Sequence, residues 1–148
     1  DEILRLSSNF KYIYLDFKKT NKTIADSLLV LMKKYNSYEH VLVADANILF
    51  LAYLKYKIPQ IKTVWEGFNK GKEWSYFIVP LSLKPDYFAS FFSEVDDKHI
   101  KFLNEQNLMH RKIVYDINKN NFQQAVEIGL KHLIVDYDSS LSTQITDY

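Results

Sequence analysis

Asp16 and Lys18 close the run Lys11-Tyr12-Ile13-Tyr14-Leu15-Asp16-Phe17-Lys18, which is rich in aromatic and β-branched residues. Such a run has strand character, and alternation along a strand sends side chains two residues apart to the same face. A carboxylate and an ammonium leaving one strand end together could hold an anion or a metal-bound phosphate. The plainer alternative is an aspartate that caps a loop or pairs with a lysine, beside a solvated Lys18-Lys19 doublet. The four histidines, His40, His99, His110 and His132, show no metal-ligand spacing, and none is expected to act as a catalytic acid or base. With no cysteine in the chain, disulfides, thiolate metal sites and a cysteine nucleophile are excluded.

The elements that must position these residues are readable in outline. Ile13, Leu15 and Phe17 alternate on one face of the first strand. Thr23 can cap a helix to about Tyr35, with Ile24, Leu28, Leu31 and Met32 at helical spacing. His40 to Ala44 is a short, nearly continuous apolar run, which suits a parallel strand buried on both faces. Asn47 starts a helix that stops before Pro59, and Ile61 to Trp65 is a strand. Trp65-Glu66-Gly67 reads as a strand end and turn that could border a site. Tyr76 to Val79 reads as the next strand, ended by Pro80. Pro85 can open a short helix whose face carries Tyr87, Phe88, Phe91 and Phe92. That cluster suits a core-facing helix, or else an exposed lipid- or partner-binding patch. Asp96 or Asp97 caps a helix to about Asn107, Lys112 to Ile117 is a strand, and Asn120 or Asn121 caps a helix closed by Gly129. His132 to Tyr137 is the last strand. Strands alternating with helices in this way argue an α/β fold with a parallel sheet, in one domain spanning residues 1–148.

Composition bounds the function. The chain has 148 residues, 47% apolar and 16% aromatic, enough to bury a core and too apolar for disorder. Its net charge of +1, with lysines spread along the chain, provides no electrostatic footprint for nucleic acid. No apolar run reaches the roughly 18 residues of a membrane span, and no leader of basic then apolar residues is visible. The compartment is left open between cytoplasm and an exported location. The chain opens without Met and with no strand ahead of the Asp16 strand, which predicts the later part of a larger fold.

Several pieces, in order, resemble the C-terminal part of the glycerophosphodiester phosphodiesterase family. Asp1-Glu2-Ile3-Leu4 resembles the family's Leu-x-Glu-x-Leu helix, and Tyr14-Leu15-Asp16-Phe17-Lys18 its Glu-x-Lys strand. Ala52 to Pro59 into Ile61-Lys62 is similar to the helix leading to Pro-x-Ile-Lys. Lys112-Ile113-Val114-Tyr115-Asp116-Ile117-Asn118 is similar to Val-x-Val-Trp-Thr-Val-Asn. Gln124-Ala125 through Gly129, then Leu133-Ile134-Val135-Asp136-Tyr137, resembles the closing Gly-Val-Asp-Gly-Ile-Ile-Thr-Asp-Tyr-Pro strand. The departures are Asp16 for Glu, Tyr115 for Trp, Asp116 for Thr, Val135 for Thr and Asp138 for Pro. The family's His-Arg and Glu-x-Asp motifs have no counterpart here.

The resemblance implies a (β/α)8 TIM barrel, present as a partial barrel that lacks the first two βα units. It implies metal-assisted hydrolysis of a small glycerophosphodiester, with Ca2+ or Mg2+ as the divalent cation. Asp16 is then the expected metal ligand, and Lys18, Tyr115 and Asn118 are the expected substrate contacts. Lys18 would hold the phosphodiester, and Tyr115 would pack on the glycerol or head group. The bland readings are a core tyrosine for Tyr115 and a turn cap for Asn118. Asp45 and Asp116, near strand ends, are expected to be loop or capping residues. The acid–base histidines would come from a missing N-terminal barrel segment or a second chain, so this chain alone is expected to be inactive. The rivals are a non-catalytic α/β binding domain and a degenerate barrel that keeps the fold and has lost the chemistry.

Overall fold

The structure, a computed structural model, describes residues 2–135. Asp136, Tyr137 and Asp138, which carry part of the last motif, lie outside the described residues. The chain divides into two compact units: Asp1–Glu66 with Ile78–Tyr87, and Gly67–Phe77 with Phe88–Tyr148.

The first unit runs α1 (Glu2–Arg5), β1 (Ile13–Asp16), α2 (Lys22–Tyr35), β2 (Val41–Asp45), α3 (Ile48–Lys57) and β3 (Lys62–Glu66). β1 pairs with β2 and β2 with β3, both parallel. All five residues of β2 are buried, and the apolar run Val41 to Ala44 suits a strand covered on both faces. α2 begins two residues earlier than its pattern suggests. Asn21, not Thr23, caps it, accepting from the Ile24 N–H at 2.9 Å. Asn36, in the left-handed region at φ 48°, ends the helix. Ala25, Leu28 and Met32 form its buried stripe, which packs with Val41, Val43, Leu51 and Leu54. Asp86 ties the return of the chain to this unit. Its Oδ2 accepts from Lys55 Nζ at 2.7 Å and from the Thr63 N–H at 2.8 Å. An apolar cavity of about 350 Å³ opens beside α1, β1 and α2, lined by Ile3, Leu4, Leu15, Phe17, Leu28 and Leu31 among others.

The second unit holds most of α4 (Ser75–Ile78) and β4 (Tyr87–Phe91), then α5 (Asp97–Glu105), β5 (Lys112–Ile117), α6 (Phe122–Glu127) and β6 (His132–Val135). β4 pairs with β5 and β5 with β6, again parallel and in sequential order. Here the structure corrects the sequence reading. Tyr76-Phe77-Ile78, expected as a strand, is helical, and the aromatic run at Tyr87–Phe91, expected as a helix, is a strand. Two adjacent aromatics in a helical turn let Tyr76 and Phe77 both reach the Phe102 ring, at 6.1 and 5.9 Å. Phe88, Ala89 and Ser90 are buried together, which a strand enclosed on both faces allows and a half-exposed helix does not.

Lys112 opens β5 and is fully buried. Its ammonium donates to the Phe68 carbonyl and to Ser90 Oγ, each at 2.7 Å. Burial pushes its pKa down to about 7, against the opposing pull of Glu94 and Glu73. Beside it the buried His99 holds Glu73 Oε1 at 2.7 Å through Nδ1. Its pKa is lowered by burial, with the Glu73 hydrogen bond opposing.

These shifts have a direct consequence. An unfolded chain keeps Lys112 protonated up to its ordinary value of 10.5, whereas the folded chain releases that proton near 7. Between those limits the unfolded state binds more protons, so this lysine makes stability rise with pH, by at most ~1.4 kcal/mol per pH unit. Below about 7 its contribution is flat and least favourable. Urea midpoints measured from pH 6 to 10 are expected to climb in the wild type. The climb should be shallower in Lys112→Met, and equal slopes in the two proteins would refute the assignment.

Candidate active site at the ends of the first three strands

Register across parallel strands decides which side chains share a face. Asp16 lies opposite Ala44, and Ala44 opposite Val64. Tyr14, two residues before Asp16, and Glu66, two residues after Val64, therefore project from the same face as Asp16. The contacts bear this out. The Tyr14 hydroxyl donates to Glu66 Oε1 at 3.0 Å across the sheet. Lys18 pairs with Asp16, its side chain 78% exposed and that of Asp16 31%. The two side chains thus form a direct ion pair, the plainer of the two alternatives that their types and spacing offer.

Glu66 adds a third ionisable group to that face. Burial raises its pKa above the ordinary carboxyl range, and the negative charges of Asp16 and Asp45 push the same way. The Tyr14 hydrogen bond and the Lys18 charge oppose them. The sequence reading places Glu66 in a strand end and turn that could border a site, but not its hydrogen bond to Tyr14, which is 52 residues away in the chain. The clue available was its place at the C-terminal end of a parallel strand, where ligands of such folds collect. Asp45 lies on the opposite face, in register with Trp65. Its Oδ1 accepts from the Asn47 N–H at 2.6 Å, the capping role expected of it, while Oδ2 is buried with no hydrogen-bond partner.

Tyr115 and Asn118 belong to the second unit. Tyr115 is half-buried, its ring 4.4 Å from that of Phe91 in an edge-on contact. Asn118 is built into the next turn: its Oδ1 accepts from the Asn120 N–H, and its own N–H donates to Asn121 Oδ1. Between them Asp116 adopts φ 65° where the pairing of β5 with β6 shifts register. An aspartate tolerates this left-handed bulge position better than most residues. Of the histidines, His40 Nδ1 lies 3.0 Å from the Phe10 carbonyl and His132 Nε2 3.0 Å from that of His110.

Asp16 offers the hard oxygen donor that Ca2+ or Mg2+ prefers, but either ion takes at least six ligands. Among the described residues no group of three or more histidines or carboxylates is arranged to hold a metal ion. The residues present fit a cation only as contributors to a shell completed from elsewhere.

No protein-family model and no curated protein matches the sequence. Solved structures do match. A protein of Galdieria sulphuraria assigned as a glycerophosphodiester phosphodiesterase superposes with a TM-score of 0.74 at 17% identity, over 99% of this chain and 63% of its own. One of Silicibacter pomeroyi assigned as a glycerophosphoryl diester phosphodiesterase gives 0.71 at 15%, over 99% and 55%. A glycerophosphoryl diester phosphodiesterase of Parabacteroides distasonis gives 0.69 at 13%, over 98% and 54%. At such identities the likeness is one of fold. This chain has the α/β fold of a partial TIM barrel, and it spans little more than half the length of the structures it matches. The expected fold class and the structural resemblance to these phosphodiesterases both stand.

The Tyr14–Glu66 bond can be tested without any substrate. Tyr14→Phe removes the donor that favours the charged carboxylate, so the Glu66 pKa, followed by carbon NMR of its carboxyl group, is expected to rise further. An unchanged Glu66 titration would show that the hydroxyl does not act on it.

Proposed function

We propose that this chain is part of a glycerophosphodiester phosphodiesterase-like hydrolase that cleaves a small phosphodiester with the help of a divalent cation. The observation that carries the reading is the fold shared with phosphodiesterases, with Asp16 at the C-terminal end of β1 and Lys18 two residues beyond it. In this reading Asp16 contributes one oxygen to a Ca2+ or Mg2+ shell. The exposed Lys18 ammonium swings from Asp16 to a phosphoryl oxygen and balances the charge that builds there. The cation, when bound, supplies Lewis-acid polarisation of the phosphodiester. Tyr115 would pack against the glycerol or head group, and Asn118 would be a further substrate contact. Proton transfer falls to histidines outside this chain, in an upstream barrel segment or a second chain, so the chain alone is inactive. The apolar cavity at α1, β1 and α2, with exposed Ile3, Leu6 and Phe10, supports a neighbour that covers this side.

The degenerate-barrel reading draws on two specific observations. Lys18 already has a carboxylate partner, and the Asn118 side chain is engaged in its own turn.

The test uses the full native polypeptide in which this sequence occurs, with Mg2+ or Ca2+, on glycerophosphocholine and bis-nitrophenyl phosphate. Hydrolysis is expected, with loss on chelation and a fall of kcat/KM of roughly 10²–10³ in Asp16→Asn and in Lys18→Ala. If both substrates stay intact, the hydrolase reading fails and the degenerate barrel takes its place.

A further inference from the structure

Helix α4 and the turn after it present large apolar side chains to solvent. Trp74 and Phe77 are each 63% exposed, Ile78 67% and Leu81 84%. Four such side chains within one short stretch are unusual for a surface that meets only water. The charges of the same stretch are sorted. Its one acidic residue, Glu73, is engaged with His99 at 2.7 Å. Lys70 and Lys72, by contrast, donate to carbonyls, those of Ser93 and Gly67, each at 3.1 Å. A carbonyl accepts a hydrogen bond without neutralising an ammonium, so positive charge remains beside the apolar side chains.

We propose that the segment from Lys70 to Phe77 docks on an anionic lipid surface. Tryptophan and phenylalanine settle at the boundary between headgroups and acyl chains, where an aromatic body is buried and a polar edge stays wet. The two lysines meet lipid phosphates. A second copy of the chain is the weaker occupant. Two-fold self-pairing through this segment brings the lysines of both copies to one interface, where like charges repel. The proposal is independent of catalysis, since none of these residues belongs to the Asp16 site.

The experiment is co-sedimentation of the full native polypeptide with phosphatidylcholine vesicles, with and without phosphatidylglycerol, while tryptophan emission is recorded. Binding to the anionic vesicles is expected, with a shift of emission to shorter wavelength. Trp74→Ser/Phe77→Ser is expected to weaken binding roughly tenfold or more. Lys70→Glu/Lys72→Glu is expected to abolish the preference for phosphatidylglycerol and the sensitivity to salt. Circular dichroism of both variants, matching the wild type, excludes misfolding, and these exposed positions should tolerate the changes. The proposal is overturned if no vesicle binds, if both folded variants bind like the wild type, or if the serine variant instead dissociates a dimer.

Discussion

A strand that lies parallel to its neighbour cannot return by a hairpin; the chain must cross back over the sheet before it pairs again. Every strand pairing described here is parallel, so this constraint governs the whole molecule. It dictates the alternation of strands with helices and turns. It buries β2 on both faces, since crossings cover the sheet. It also brings the C-terminal ends of neighbouring strands together, where Asp16 and Glu66 meet Tyr14 and Lys18 on one face. The candidate site is a product of chain direction before it is a product of side-chain choice.

That same constraint explains what could be read in advance. β2 and β5 stand out as short β-branched runs, and the capping residues Asn47 and Asp96 mark the starts of α3 and α5. Local chemistry suffices for these. The exchange of strand and helix between Tyr76 and Phe91 was not legible, because both runs are aromatic and both are short enough to fit either period. Tertiary partners decide between them: Phe102 and Phe68 for Tyr76, and the register with β5 for Phe88. The Asp16–Lys18 pair was legible because its two members are neighbours in the chain. Glu66 was legible only as part of a strand end that could border a site; its bond to Tyr14 was not, since no local pattern announces a contact with another strand.

Lys112 is the other feature hidden from sequence. A lysine at a strand start reads as a solvated flank, yet this one is buried within the second unit with two neutral acceptors. Burying an ammonium is unfavourable unless its donors are met. Here the acceptors come from Phe68, ahead of α4, and from Ser90 on β4, so the charge is tolerated only when both segments sit correctly against β5. The lysine therefore discriminates among arrangements of that unit more than it strengthens it.

Sequential strand order carries one more consequence. Within each unit, a later strand leans on the strand made just before it, so those contacts span only the length of one crossing. A chain built this way closes only one crossing for each pairing it makes, a smaller entropic cost than joining distant segments. It can also be lengthened or shortened by whole steps in evolution, because an added step changes the pairing of the terminal strand and leaves the registers behind it untouched.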